Sequence, residues 1–220
     1  MRKLHQAASC LAVLLICTAV HSDDWASPQV REVFSKSRDY FVRVIPGNSW
    51  GDAVGFKGAD KGSYAKAQFF RRQADQSYKL TREIQTGSPV APVDFFVSGA
   101  GYLVTLDNWH NVGYGKIAVF YSPEGTLIRA YTLDDLFSKE EIEQFDHSVS
   151  SIWWRSYPGN IQPDQKTLPL DVEKLGAGSS LIVEMQTGGY QFCHWEDKAN
   201  TIYRCRASNK NREWKPFHEP

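Results

Sequence analysis

The chain has 220 residues, with 25 Lys and Arg against 25 Asp and Glu, 42% hydrophobic and 13% aromatic residues. Zero formal charge, with no basic run or stripe, offers a polyanion nothing to bind and excludes nucleic acid and an anionic membrane surface as partners. Such a length suits one domain, or at most two small ones, with enough bulk to bury a core.

The N-terminus reads as an export signal. Met1-Arg2-Lys3 is a basic start, "CLAVLLICTAV" an apolar core, and Val20-His21-Ser22 a permissive cleavage region, so residues 1–22 are expected to be removed near Ser22. The run from Cys10 to Val20 is shorter than the roughly 20 residues that span a bilayer, and no later run approaches that length. No membrane insertion is therefore expected, and the predicted location is secreted or periplasmic. A lipoprotein signal would place Gly, Ala or Ser before the acylated cysteine, whereas Ile16 precedes Cys17. Loss of Arg2 and Lys3 takes the basic residues from 25 to 23 against 25 acidic ones, so the mature chain stays almost neutral.

After a polar lead-in, short apolar runs alternate with Gly, Pro, Asn, Asp and Ser. "DYFVRVI" (39–45), "AKAQFFRR" (65–72) and "SYKLTREI" (77–84) read as strands, the last two as a hairpin about Gln73–Gln76. "VDFFV" (93–97) and "YLVTLD" (102–107) flank the turn Ser98–Gly101. "KIAVFYS" (116–122) and "TLIRAYTL" (126–133) flank Pro123-Glu124-Gly125, a turn with explicit chemistry. One short helix is predicted in "SKEEIEQF", where Ser138 and Glu141 make a capping box. Strands resume in "SSIWWRS" (150–156), "LPLDV" (168–172), "SLIVEM" (180–185), "YQFCHW" (190–195) and "TIYRCRA" (201–207). A single β-rich domain over residues 23–207 and a polar tail, 208–220, are expected.

Signal cleavage leaves Cys193 and Cys205 in an oxidising compartment. They lie symmetrically about Ala199, so a hairpin turning there sets them opposite each other and a disulfide is predicted. A metal pair or redox pair fits less well, because the spacing contains no CxxC.

A weak repeat runs through the strands: an aromatic-led strand, a connection, an apolar strand opening on Lys, a turn and a further strand. "DYFVRV…KAQFF…YKLTREI" and "GYLVTL…KIAVF…LIRAYTL" share this order, and "SLIVEM…YQFCHW…TIYRC" follows it loosely. "YSPEGTLIRAYTL", with "VDFFVSGAGYLVTLDN", resembles the hairpins of secreted bacterial β-propeller proteins of the broad YVTN, NHL and WD-like group. The resemblance covers about 40 residues and lacks the Trp-Asp ending and a run of identical blades. It implies an all-β fold of antiparallel hairpins in blade-like sheets, an open or partial propeller-like array or alternatively a sandwich. Closing such an array into a ring would require oligomerisation. No catalytic residue comes with it.

The richest candidate site is "LDNWHNVGYG". Its eight-residue connection, 108–115, exceeds what a tight hairpin needs, and β scaffolds place binding groups on such loops. Asp107, Trp109, His110, Asn111 and Tyr114 are the binding candidates there. Against this stands a turn closed by Asp107 and Asn108, with Gly113 and Gly115 at positive φ and Trp109 capping the core. "FDHSVSSIWWR" adds Asp146, His147 and Trp153. Convergence of Asp107, His110, Asp146 and His147 would suffice for a metal-assisted hydrolase, although neither HxH nor HExxH spacing is present. A Ser148–His147–Asp107 triad lacks a GxSxG elbow. "GFKGADKGSYAK" (55–66) lacks the phosphate-loop spacing and reads as a surface loop, and His194 as a bystander on the cysteine hairpin.

No cofactor motif is present. The expected function is an exported, non-enzymatic binding protein presenting the 107–115 loop, Trp153, Trp154 and the 47–64 loop to a protein, peptide or glycan. The alternative is a small exported hydrolase using Asp107, His110, Asp146 and His147.

Overall fold

The computed structural model describes residues 25–156, 166–195 and 203–207. The expected signal segment 1–22, the expected turn over 196–200 and the expected polar tail 208–220 lie outside the described residues.

Three four-stranded antiparallel sheets follow one another along the chain, each a simple meander. The first contains β1 (Arg31–Phe34), β2 (Tyr40–Ile45), β3 (Lys66–Arg72) and β4 (Tyr78–Gln85). The second contains β5 (Pro92–Val97), β6 (Leu103–Asn108), β7 (Ala118–Tyr121) and β8 (Leu127–Tyr131). Two short helices, α1 (Leu133–Leu136) and α2 (Lys139–Ile142), precede a two-stranded ribbon of β9 (Asp146–His147) and β10 (Ile152–Trp153). The third sheet contains β11 (Thr167–Asp171), β12 (Ser179–Glu184), β13 (Tyr190–Trp195) and β14 (Tyr203–Ala207). The fold is all-β and blade-like, in agreement with the sequence expectation.

Alternation along each strand decides how the sheets stack. In β2, Val42 and Val44 point one way, joining Ala67 and Phe69 against Phe95, Val97, Leu103, Val119 and Tyr121 of the second sheet. The opposite face of the second sheet contributes Val104, Leu106, Ala118, Phe120 and Tyr131. These meet Leu168, Leu170, Leu181 and Val183 of the third sheet, with Leu133, Leu136, Phe137, Phe145 and Trp154 closing the cluster. The second sheet is thus covered on both faces, and every residue of β6 and β7 is buried. That explains their nearly unbroken apolar text, since a strand with two buried faces has no polar alternation. Each fully buried Leu or Phe contributes on the order of 1.5–3 kcal/mol. Tyr121 is a polar exception: its Oη accepts from the Gly87 N–H at 2.7 Å, and burial pushes its hydroxyl up to about 12.

Local chemistry sets the turns. Asp75 accepts from the Ser77 N–H in the β3–β4 turn, and Gly125 adopts φ +79° in the β7–β8 turn, where a Cβ would collide with Ile84 of the first sheet. Ser138 caps α2 and Glu141 reaches back to its N–H at 2.9 Å, as the capping box predicted. Cys193 and Cys205 are direct cross-strand partners and form the expected disulfide.

Three readings need correction. β1 was not anticipated, because four residues, two of them Arg and Glu, carry little apolar signal. The run 126–133 ends as a strand at Tyr131: Thr132 and Asp135 form a second capping box and start α1. The strand expected over 150–156 contracts to Ile152–Trp153, because Trp154 and Arg155 turn inward as core anchors.

Candidate functional site

At the end of β6 the backbone leaves the sheet through Asp107, whose φ of +57° is left-handed, and His110 follows at +67°. Asp107 is fully buried and accepts three hydrogen bonds. Its Oδ1 takes the Trp154 indole N–H at 2.7 Å and the Gly113 N–H at 3.1 Å; its Oδ2 takes Arg155 Nε–H at 2.9 Å and lies in ion-pair contact with Arg155 Nη2, also at 2.9 Å. Arg155 also donates to Asp94 Oδ2 at 2.9 Å. Burial pushes the Asp107 carboxyl pKa up, opposed by the Arg155 guanidinium and the Trp154 and Gly113 N–H groups. A carboxylate so engaged is a keystone tying the loop to the segment after β10.

Neighbouring side chains finish the frame. Asn108 Nδ2 donates to the carbonyls of Tyr114 and Lys116, at 2.8 and 3.2 Å, closing the loop on itself. Asn111, also buried, behaves like a short strand. Its Oδ1 accepts from Val54 N at 2.9 Å and its Nδ2 donates to Val54 O at 3.0 Å, which clamps the β2–β3 connection onto the loop. Ile152 N donates to Val112 O at 2.8 Å, so β10 docks along the same loop. Gly113 has φ +79°, and a Cβ there would lie 2.5 Å from Ile152 O, so only glycine permits that approach.

An aromatic surface is assembled above this frame. Trp25 lies 5.3 Å from Trp109, 5.5 Å from His110 and 6.2 Å from Trp153, parallel to the last within 4°. Trp50 lies 5.2 Å from His110 and 5.1 Å from Phe56, and Phe56 lies 5.7 Å from His110. All six rings are half-buried. Trp109 is fixed from two sides: its indole N–H donates to Ala26 O at 3.1 Å, and the Arg31 guanidinium sits 5.8 Å from its ring. Partial burial lowers the His110 pKa, so its imidazole favours the neutral form. The β2–β3 connection that supplies Trp50 and Phe56 also borders an open hollow of about 680 Å³, lined by Asp52, Val54, Lys57 and Lys61 among others.

The predicted residues divide by role. Trp109, His110 and Trp153 reach the aromatic surface. Asp107 and Asn111 lie beneath it as buried supports, and Tyr114 packs partly against the main core. Asp146 and His147 sit on β9, with β10 between them and the loop. Asp146 is exposed and pairs with Lys174 at 2.8 Å, and His147 Nε2 lies 3.1 Å from Ile142 O. The four proposed hydrolase residues therefore have separate partners. Among the described residues, no three His, Cys, Asp or Glu side chains gather as a metal-holding group.

Sequence reading pointed to the 47–64 loop without singling out Trp50 and Phe56, missed Trp25 on the surface and Asp94 and Arg155 beneath it, and expected on the surface Trp154, which is buried in the core. Asp94 was signalled, since a carboxylate inside "VDFFV" needs a buried partner. The rings of Trp25, Trp50 and Phe56 come from the lead-in to β1 and from the β2–β3 connection, and carry no local spacing. No known protein family, curated protein or solved structure matches the chain.

Proposed function

We propose that this chain is an exported, non-enzymatic binding protein whose aromatic surface takes a neutral glycan by stacking. The observation that carries the proposal is the continuous set of six half-buried rings, His110 and five around it, drawn from four separate segments and held by a buried polar frame. Flat indole faces complement the C–H faces of sugar rings, while the imidazole and neighbouring backbone supply hydrogen bonds. Residues 1–22 and the Cys193–Cys205 bridge support export to an oxidising compartment. The alternative of a metal-dependent hydrolase loses its central carboxylate, because Asp107 is consumed by Arg155, Trp154 and Gly113.

Titration of intrinsic tryptophan fluorescence with a panel of soluble neutral oligosaccharides tests the reading, with peptides as the comparison set. Saturable changes with at least one oligosaccharide are expected, lost in a Trp25→Ala/Trp153→Ala variant of unchanged circular dichroism. Saturable binding of peptides alone would replace glycan by peptide, and no saturable response to either set would overturn the proposal.

A further inference from the structure

The first sheet has its Val42 face against the second sheet, and its contacts with the second sheet run through β5 on that side. Its opposite face does not follow the polar alternation of a solvated sheet. Phe34 pairs with Phe41, Phe41 with Phe70, and Phe70 with Leu80, so one apolar row crosses all four strands. The rings touch along the row: Phe34–Phe41 at 4.9 Å, Phe41–Phe70 stacked at 4.3 Å, and Tyr78 at 4.9 Å from Phe41. Phe41 is only 7% exposed because its neighbours cover it, whereas the ends stay open, Phe34 at 40% and Leu80 at 46%.

Charged groups flank this row asymmetrically. On one side lie Glu32, Arg43, Gln68 and Glu83, successive partners across the strands. Glu32 pairs with Arg43 at 2.7 Å and Glu83 with Lys66 at 3.0 Å, leaving this side balanced but with carboxylate acceptor sites to spare. On the other side lie Tyr78, Arg72 and Arg38, with the Arg38 guanidinium 5.5 Å from the Phe34 ring.

We infer that this face docks on the same face of a second copy of the chain, forming a two-fold dimer. An axis lying in the interface along the apolar row sets that row on itself. It also brings Arg38 and Arg72 of one copy opposite Glu32 and Glu83 of the other. Isologous contact of this kind needs one self-complementary patch, and this face supplies an apolar centre, two carboxylates within neutral pairs on one flank and two guanidinium groups on the other. Sheet-on-sheet contact is also how the chain builds itself, twice, so the dimer extends an arrangement already present.

Sedimentation velocity of the purified protein tests the inference at concentrations up to about 0.1 mM, where weak association becomes populated. A dimer is expected. Leu80→Lys, at the open end of the row, should raise the dissociation constant about tenfold, because each copy then sets a charge against the apolar row of the other. Arg38→Glu should weaken the dimer and Glu32→Arg added to it should restore association. Leu127→Lys, at a 52% exposed position on the second sheet, should leave the dimer intact. A monomer throughout the concentration range, or a dimer indifferent to both Leu80→Lys and Arg38→Glu, would overturn the inference.

Discussion

Replacing Asp107 by Ala removes the acceptor of three hydrogen bonds at once and takes one of two counter-charges from a guanidinium whose side chain is fully buried. Breaking a buried pair from one side typically costs about 3–5 kcal/mol, and that loss is expected in urea unfolding of Asp107→Ala. Asp107→Asn keeps a residue tolerant of left-handed φ but loses the charge, so its cost should be smaller and still clear. His110 has a different signature. Its folded pKa is depressed by burial below the unfolded value of about 6.5, so the folded state favours the neutral ring. The associated stability is present above that value and lost as pH falls through the folded pKa. Thermal midpoints measured from pH 7 to 5 should therefore fall more for the parent protein than for His110→Gln.

At the scale of elements, the bracket between Asn111 and Val54 holds the whole β2–β3 connection onto the site. Asn111→Ala leaves the Val54 N–H and C=O without these partners, at a cost of about 1–3 kcal/mol. The released connection should become a preferred tryptic site at Lys57 or Lys61, which limited proteolysis would detect. On the third sheet, Cys193→Ser/Cys205→Ser should lower stability by about 3 kcal/mol, as expected when so short a loop is freed in the unfolded chain. Elements of this kind were legible in the sequence to different degrees. Strands with alternating or continuous apolar text, the Ser138 capping box and the cysteine pairing could be read directly, because their causes are local. β1 and the Thr132 cap escaped because each offers few residues against competing patterns. The aromatic surface was half legible: Trp109, His110 and Trp153 sit in dense motifs. Trp25, Trp50 and Phe56 join them only through tertiary bonds such as Trp109 to Ala26 and Asn111 to Val54.

Across the whole molecule, protection should be graded from the second sheet outward. β6 and β7 are buried along their full lengths, whereas β4 is largely exposed at the margin of the first sheet. Native-state hydrogen exchange should accordingly be slowest in β6 and β7 and approach the global unfolding free energy there, with β4 opening first. Exchange in β6 as fast as in β4 would contradict this grading. The adjacent residues Trp153 and Trp154 carry a further consequence. One ring belongs to the outer surface, while the next donates to Asp107 in the core, so a single peptide link joins the exterior to the keystone. Immobilising the outer rings is thereby completed when the chain folds. The glycan of the proposed function would then meet a stiff platform, lose little affinity to side-chain ordering, and bind with a modest entropic penalty in calorimetry.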